Sequence, residues 1–172
     1  MKNILLLGAT GSIGDSALDV ISQNPESLNL YGMAFNSNIQ KAEVISNKFS
    51  PNYIYIENPA NKKALIEAVD TKTEILSGKN ELHSLLNDPK VDVIISAISG
   101  FSGLETTLIA VRTGKTILLA NKESIVVAGD IILPLAKEFN TEIIPIDSEH
   151  NAIFQCLVGE RAIEDVSKII IT

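Results

Sequence analysis

Ile4-Leu5-Leu6-Leu7-Gly8-Ala9-Thr10-Gly11-Ser12-Ile13-Gly14 stands almost at the start of the chain, and it decides the fold. Four consecutive apolar residues are what a strand buried on both faces requires. Glycines at 8, 11 and 14 then spell G-x-x-G-x-x-G, and Ile13, Ala17, Leu18 and Ile21 follow at helical spacing, with Pro25 beyond the helix end. A strand, a glycine turn and a helix in that order let backbone N–H groups close on a pyrophosphate at the positive end of the helix. The spacing differs from G-x-G-x-x-G, yet it still puts small residues at the tight turn, the phosphate approach and the helix–strand contact. Thr10 and Ser12 add hydroxyl donors. A glycine turn that binds nothing is the alternative, and the place of this one straight after the first strand argues against it.

Outward from that stretch, apolar runs alternate with helix-period segments. Leu28–Phe35 reads as a second strand, and Asn36-Ser37-Asn38 supplies the turn and cap of a helix carrying Ile39, Ala42, Ile45 and Phe49. That helix stops before Pro51. Tyr53–Ile56 is a third strand, Asn58-Pro59 opens another helix, Ile75-Leu76 is a short strand and Glu81–Leu86 a short helix. Val91–Ala97, Lys115–Ala120 and Glu142–Ile146 are further strands, separated by helices over Leu104–Thr113, with Gly114 at C′, and Ile131–Phe139. Asn151–Val158 suits a last helix, and Ser167–Thr172 is a β-rich apolar run in which the sequence stops, so the chain reads as a fragment. The alternation predicts an α/β fold: a Rossmann-like parallel sheet with helices on both faces.

The chain has 172 residues, 45% of them hydrophobic, and a formal net charge of −7. That balance supports a real core and argues against nucleic acid or an anionic membrane as partner. One cysteine excludes an internal disulfide and fits a reducing compartment. Cys156 itself falls among apolar residues of the last helix and reads as a core residue; His83 reads as a surface residue. No apolar run approaches the roughly 20 residues of a membrane span. The apolar start is too short for a signal peptide, so the expected location is cytoplasmic.

Three clusters carry the candidate chemistry. An NAD-binding domain usually has an acid after the second strand, gripping the ribose 2′-OH. Here Asn36, Ser37 and Asn38 occupy that place, and neutral donors can accept a 2′-phosphate, so the expected cofactor is NADPH; a plain helix cap at Asn38 is compatible with this. Asn121-Lys122-Glu123-Ser124 ends another central strand. Lys122 there can bind an anionic or hydroxylated substrate, and Asn121 and Glu123 the nicotinamide half of the cofactor; a solvated loop with a surface Lys–Glu pair remains open. Finally, Asp147-Ser148-Glu149-His150 follows the last strand before the final helix. On an extended backbone, side chains two apart point the same way, so Asp147 and Glu149 would aim two hard oxygen donors at one Mg²⁺ or Mn²⁺. The competing reading is an N-cap and a first-turn acid, favourable to the helix dipole. Ser148 can donate to a substrate oxygen, and His150 reads as a helix-start residue more than a ligand or base.

Gly-Ala-Thr-Gly-Ser-Ile-Gly at 8–14, Leu-Ala-Asn-Lys-Glu-Ser at 119–124 and Pro-Ile-Asp-Ser-Glu-His-Asn-Ala-Ile-Phe-Gln at 145–155 together resemble 1-deoxy-D-xylulose 5-phosphate reductoisomerases. The first motif is common to many NADP-dependent enzymes; the second and third, in this order and spacing, are specific. The resemblance implies conversion of 1-deoxy-D-xylulose 5-phosphate to 2-C-methyl-D-erythritol 4-phosphate in non-mevalonate isoprenoid synthesis. In that reaction a divalent metal holds the substrate's oxygens during rearrangement and NADPH then reduces the resulting aldehyde. It implies a cofactor site of Gly8, Thr10, Gly11, Ser12, Ile13, Gly14, Asn36, Ser37, Asn38, Asn121 and Glu123. Lys122 and Ser148 would meet a small phosphorylated sugar, Asp147 and Glu149 the metal, and Lys122, Ser148 and Glu149 would form the catalytic set. Residues 1–146 would be the NADPH-binding domain and 147–172 the beginning of an α+β catalytic domain, in an enzyme that is a homodimer.

Two departures from the family pattern follow. Members often carry Gly then Lys or Arg where this chain has Asn36 and Ser37, which predicts a weaker preference for NADPH over NADH. The third metal carboxylate, the phosphate-binding residues and a mobile loop lie beyond Thr172 in the family, so the 172 residues alone are expected to be inactive. Two rivals remain: a metal-independent NADP-dependent dehydrogenase, distinguished by activity that survives EDTA, and a non-catalytic NADPH-binding module.

Overall fold

The structure, a computed structural model, describes residues 1–69, 72–157 and 166–170. In chain order β1 (Lys2–Leu7), α1 (Ser12–Gln23), β2 (Leu28–Phe35), α2 (Ile39–Phe49), β3 (Tyr53–Ile56), α3 (Lys62–Ala68) and β4 (Glu74–Leu76) build one half. The other half is α4 (Lys79–Asn87), β5 (Val93–Ser96), α5 (Ser102–Val111), β6 (Thr116–Leu119), α6 (Lys122–Glu138), β7 (Ile143–Pro145) and α7 (Ser148–Leu157). The sheet order is β4-β3-β2-β1-β5-β6-β7, and every pairing is parallel. The expected α/β architecture is therefore the observed one.

Two cores lie on the two faces, as a parallel sheet demands. Leu5 and Leu7 of β1 point into the layer holding Leu82, Leu85 and Leu86 of α4, Ala110 and Val111 of α5, and Ile132 of α6. Ile4 and Leu6 point the other way, into the layer of Leu18 and Ile21 from α1, Ala42 and Ile45 from α2, and Leu65 from α3. Leu5, Leu6 and Leu7 are wholly buried, each stabilising the fold by about 1.5–3 kcal/mol.

β2 departs from simple alternation. Ile4 pairs with Leu30 but Leu5 pairs with Gly32, so Tyr31 is an extra residue, a β-bulge. Tyr31 is held there by a 2.7 Å hydrogen bond from its hydroxyl to Asp88 and an edge-on contact with Tyr53.

Some boundaries differ from expectation. α6 begins at Lys122, not Ile131, because Asn121 caps it; its φ/ψ breaks at Ala128, and Pro134 sits inside it. The helix after Asn58 starts as a 3₁₀ turn over Pro59–Asn61 before α3. The expected strand Ser167–Thr172 is not one over residues 167–170, and 171–172 lie outside the described residues. The expected helix to Val158 is described to Leu157. No helix among the described residues is long and apolar enough to cross a membrane.

Candidate functional site

The sheet order puts a topological switch at β1/β5: the chain winds outward from β1 to β4, then crosses back to β5 on β1's other side. Ligands of open α/β sheets bind at the carboxyl ends of strands flanking such a point. A cavity of about 340 Å³ opens there, lined by Gly8, Thr10 and Gly11 after β1, Asn36 after β2, Tyr55 and Glu57 of the β3 end, and Ala97, Ile98 and Ser99 after β5. It is large enough for one half of a dinucleotide.

The glycine turn is shaped for close approach. Gly8 has φ +86°, and a Cβ there would lie 2.5 Å from the Ala97 carbonyl oxygen across the switch. A Cβ on Gly14 would lie 2.5 Å from the Ala9 carbonyl oxygen, so only glycine lets α1 start this close to the turn. The Gly11 N–H closes the turn onto the Gly8 carbonyl at 3.0 Å. Thr10 is half-buried and lines the cavity, whereas Ser12 and Ile13, in the first turn of α1, are exposed and are not among its lining residues.

After β2, Asn36, Ser37 and Asn38 are exposed, and the Asn38 side chain accepts from the Lys41 N–H at 3.0 Å as the cap of α2. Sequence reading passed over Lys41. Its Nζ donates to the Thr10 carbonyl at 3.0 Å and pairs with Asp15 at 2.7 Å, tying α2 to the glycine turn. Tyr55, Glu57, Lys79 and Glu105 were also passed over, and all line the cavity. The Tyr55 hydroxyl donates to Glu57 at 2.9 Å, and burial, then that carboxylate, pushes its pKa up. Lys79 on α4 pairs with Glu105 on α5 at 2.8 Å across the rim. The signal for these residues is their position after strands or in first helical turns, which becomes informative only once the strand order is known.

The Asn121 side chain is tied into the fold. It is 2% exposed, its oxygen accepts from Ser124 N–H at 2.8 Å and Ser124 Oγ at 2.6 Å, and its amide donates to the carbonyls of Ile98 and Gly100 at 2.5 and 2.8 Å. All four bonds are internal, so the side chain clamps the loop after β5 to the start of α6. Gly103 must be glycine to admit it, since a Cβ there would overlap the Asn121 amide and the Ile98 carbonyl. Glu123 is exposed in the first turn of α6.

Lys122 and Glu149 meet, Nζ to Oε1 at 2.8 Å, joining the starts of α6 and α7. Ser148 Oγ donates to the other Glu149 oxygen at 2.9 Å. The Lys122 ammonium, then the Ser148 hydroxyl, lowers the Glu149 pKa to about 2, and Glu149 in turn raises that of Lys122. Asp147 is buried; one oxygen accepts from the His150 N–H at 3.1 Å, and the carboxylate contacts His150 Nδ1.

The expectation that Asp147 and Glu149 project in parallel from extended backbone is corrected here. Ser148 already begins α7, so Asp147 is its cap and Glu149 a first-turn acid. Cys156 is exposed, not core, and among the described residues of α7 none is buried. His83 is exposed, as expected. Asp147 and Glu149 are hard oxygen donors of the kind Mg²⁺ or Mn²⁺ takes. Among the described residues no group of three His, Cys, Asp or Glu could hold a metal ion.

The sequence profile of 1-deoxy-D-xylulose 5-phosphate reductoisomerase matches residues 4–129, most of the chain. The chain belongs to that reductoisomerase family. The profile of the family's C-terminal domain matches residues 143–172. The 1-deoxy-D-xylulose 5-phosphate reductoisomerase of Ruthia magnifica is 44% identical over 162 residues, which cover 94% of this chain and 42% of the relative. A DOX-P reductoisomerase solved with NADPH, fosmidomycin and magnesium superposes with a TM-score of 0.85 at 42% identity, covering 91% of this chain and 39% of that one. The Zymomonas mobilis reductoisomerase, solved with NADPH, gives 0.85 at 37% identity, over 90% of this chain and 41% of its own. The chain thus spans less than half the length of these relatives.

Proposed function

We propose that this chain is the NADPH-binding part, with the beginning of the metal and substrate site, of an enzyme converting 1-deoxy-D-xylulose 5-phosphate to 2-C-methyl-D-erythritol 4-phosphate. One observation carries this reading: Lys122 and Glu149, from two motifs far apart in sequence, meet at 2.8 Å at the carboxyl edge of the sheet that also holds the glycine crevice. A plain dinucleotide-binding domain has no need of a second polar cluster there.

The glycine turn, Gly8 to Gly14, receives the cofactor's pyrophosphate against the α1 N-terminus, and Asn36, Ser37 and Asn38 face its adenosine ribose. Asn121 acts on the cofactor by holding the 98–100 loop in place, and Glu123 contacts it from the exposed first turn of α6. Lys122 and Ser148 hold the phosphorylated sugar substrate. Asp147 and Glu149 hold Mg²⁺ or Mn²⁺, which supplies Lewis-acid polarisation of the substrate's oxygens. Residues 1–146 form the cofactor domain and 147–172 open the catalytic one, within a cytoplasmic homodimer.

The test uses the gene product read through to its natural stop codon. NADPH consumption should require 1-deoxy-D-xylulose 5-phosphate, stop with EDTA and return with Mg²⁺ or Mn²⁺. Turnover that survives complete metal removal would favour a metal-independent dehydrogenase and sink the proposal.

A further inference from the structure

We propose that Lys41 reads the 2′-phosphate of the cofactor, supplying from the first turn of α2 the cation that the segment after β2 lacks. The inference rests on the NADPH reading above and adds the residue that sets its specificity. Three observations converge on it. The residues after β2, Asn36 to Asn38, are exposed and uncharged, so they can neither repel a phosphate nor neutralise one. Lys41 Nζ lies 3.0 Å from the Thr10 carbonyl, on the flank of the crevice where Thr10, Gly11 and Asn36 form the wall. A lysine in the first turn of a helix also works against the helix dipole, and α2 has no acid there to offset it. Such a placement weakens the helix unless the charge serves another purpose.

The ammonium is pre-positioned for this task. Asp15, at 2.7 Å, and the Thr10 carbonyl take two of its three N–H donors, leaving one to turn toward a phosphate oxygen. Asp15 is more than half exposed, so water screens its negative charge, whereas Lys41 is the more buried partner. Lys41 is also three residues beyond the neutral turn, one helical turn away from the cap, which is why a scan of Asn36 to Asn38 alone predicts weak discrimination. With Lys41 counted, the chain should prefer NADPH strongly.

The experiment is calorimetric titration of the protein with NADPH and with NADH, at low and moderate salt, for wild type, K41Q, K41R and D15N. Folding of each variant is checked by circular dichroism. K41Q should lose NADPH affinity by about tenfold, the scale of one charge-assisted hydrogen bond, with NADH affinity unchanged and a shallower salt dependence for NADPH. K41R should keep most of the preference, and D15N should tighten NADPH alone, since it removes a like charge facing the phosphate. An equal loss for both dinucleotides in K41Q would reduce Lys41 to a staple of the glycine turn and overturn the inference. So would an unchanged NADPH affinity in K41Q or a weakened one in D15N. A wild-type protein that binds neither dinucleotide would overturn the cofactor reading itself, and one that binds both equally would overturn the inference while leaving dinucleotide binding standing.

Discussion

Removing the Asn121 side chain should cost the protein stability before it costs it a ligand contact. Asn121→Ala deletes an N-cap, worth about 1 kcal/mol. It also strands the Ser124 hydroxyl, which is 1% exposed and donates to Asn121, at about 1–3 kcal/mol. Ile98 and Gly100 are half-buried residues, so water is expected to replace part of the lost amide bonding at their carbonyls. The total is about 3 kcal/mol, or a fall in Tm of roughly 6–12 °C for a domain of this size. Urea unfolding followed by circular dichroism measures it. Asn121→Asp separates the parts: it keeps the cap acceptor but turns a carboxylate oxygen on two carbonyls. That environment favours the protonated acid, so its folded-state pKa stands above the unfolded one. Stability of N121D should then be greatest at low pH and be lost as pH rises through the folded value, a trend wild type lacks at this position. If N121A loses less than about 1 kcal/mol while NADPH affinity collapses, Asn121 is a direct cofactor contact and the clamp argument fails.

Gly8→Ala forces a side chain into φ +86° and against the Ala97 carbonyl, so it should lose at least about 2 kcal/mol in urea unfolding along with dinucleotide binding; wild-type stability would refute the close packing of β1 and β5 ends. Lys122→Met should let the Glu149 carboxyl titrate well above its present value of about 2, read by NMR. Because that pKa is depressed, the stabilisation from the pair is present at neutral pH and lost only as pH falls toward 2; an unmoved titration would assign the shift to Ser148 instead. Cys156 is exposed, so a disulfide reagent should modify it in the native protein at nearly the rate seen in urea, and strong protection would show that α7 is covered.

Much of this fold is written locally. Leu28–Phe35 and Tyr53–Ile56 have the bounds their apolar runs suggest, since an apolar run bounded by polar turns has few other uses. The start of α6 was not legible, because Ile125-Val126-Val127 is a β-branched run with two exposed members, and its helix depends on a cap held by residues of another loop. The carboxylate pair was visible in the sequence but its geometry was not: Asp-Ser-Glu can extend or begin a helix, and the His150 N–H bonding Asp147 selects the helix. Lys41 was invisible because its meaning lies in the Thr10 carbonyl, thirty-one positions away in sequence.

The extra residue at Tyr31 acts as a phase shifter. Leu30 and Met33 are three apart, yet both face the layer of α1, α2 and α3, because one position is skipped between them. Both ends of β2 thereby keep the same faces toward the two cores, Leu30, Met33 and Phe35 on one and Tyr31 and Ala34 on the other. A deletion at Tyr31 would remove the bulge and leave Leu30, Gly32 and Met33 in regular alternation, with Met33 still on the face of Leu30, and would cost the Asp88 hydrogen bond and the Tyr53 contact. The bulge thus admits one more side chain, Tyr31, which reaches Asp88 and Tyr53, while the pairing of the strand's tail with β1, and with it the place of Asn36 at the crevice, stays as a regular strand would have it.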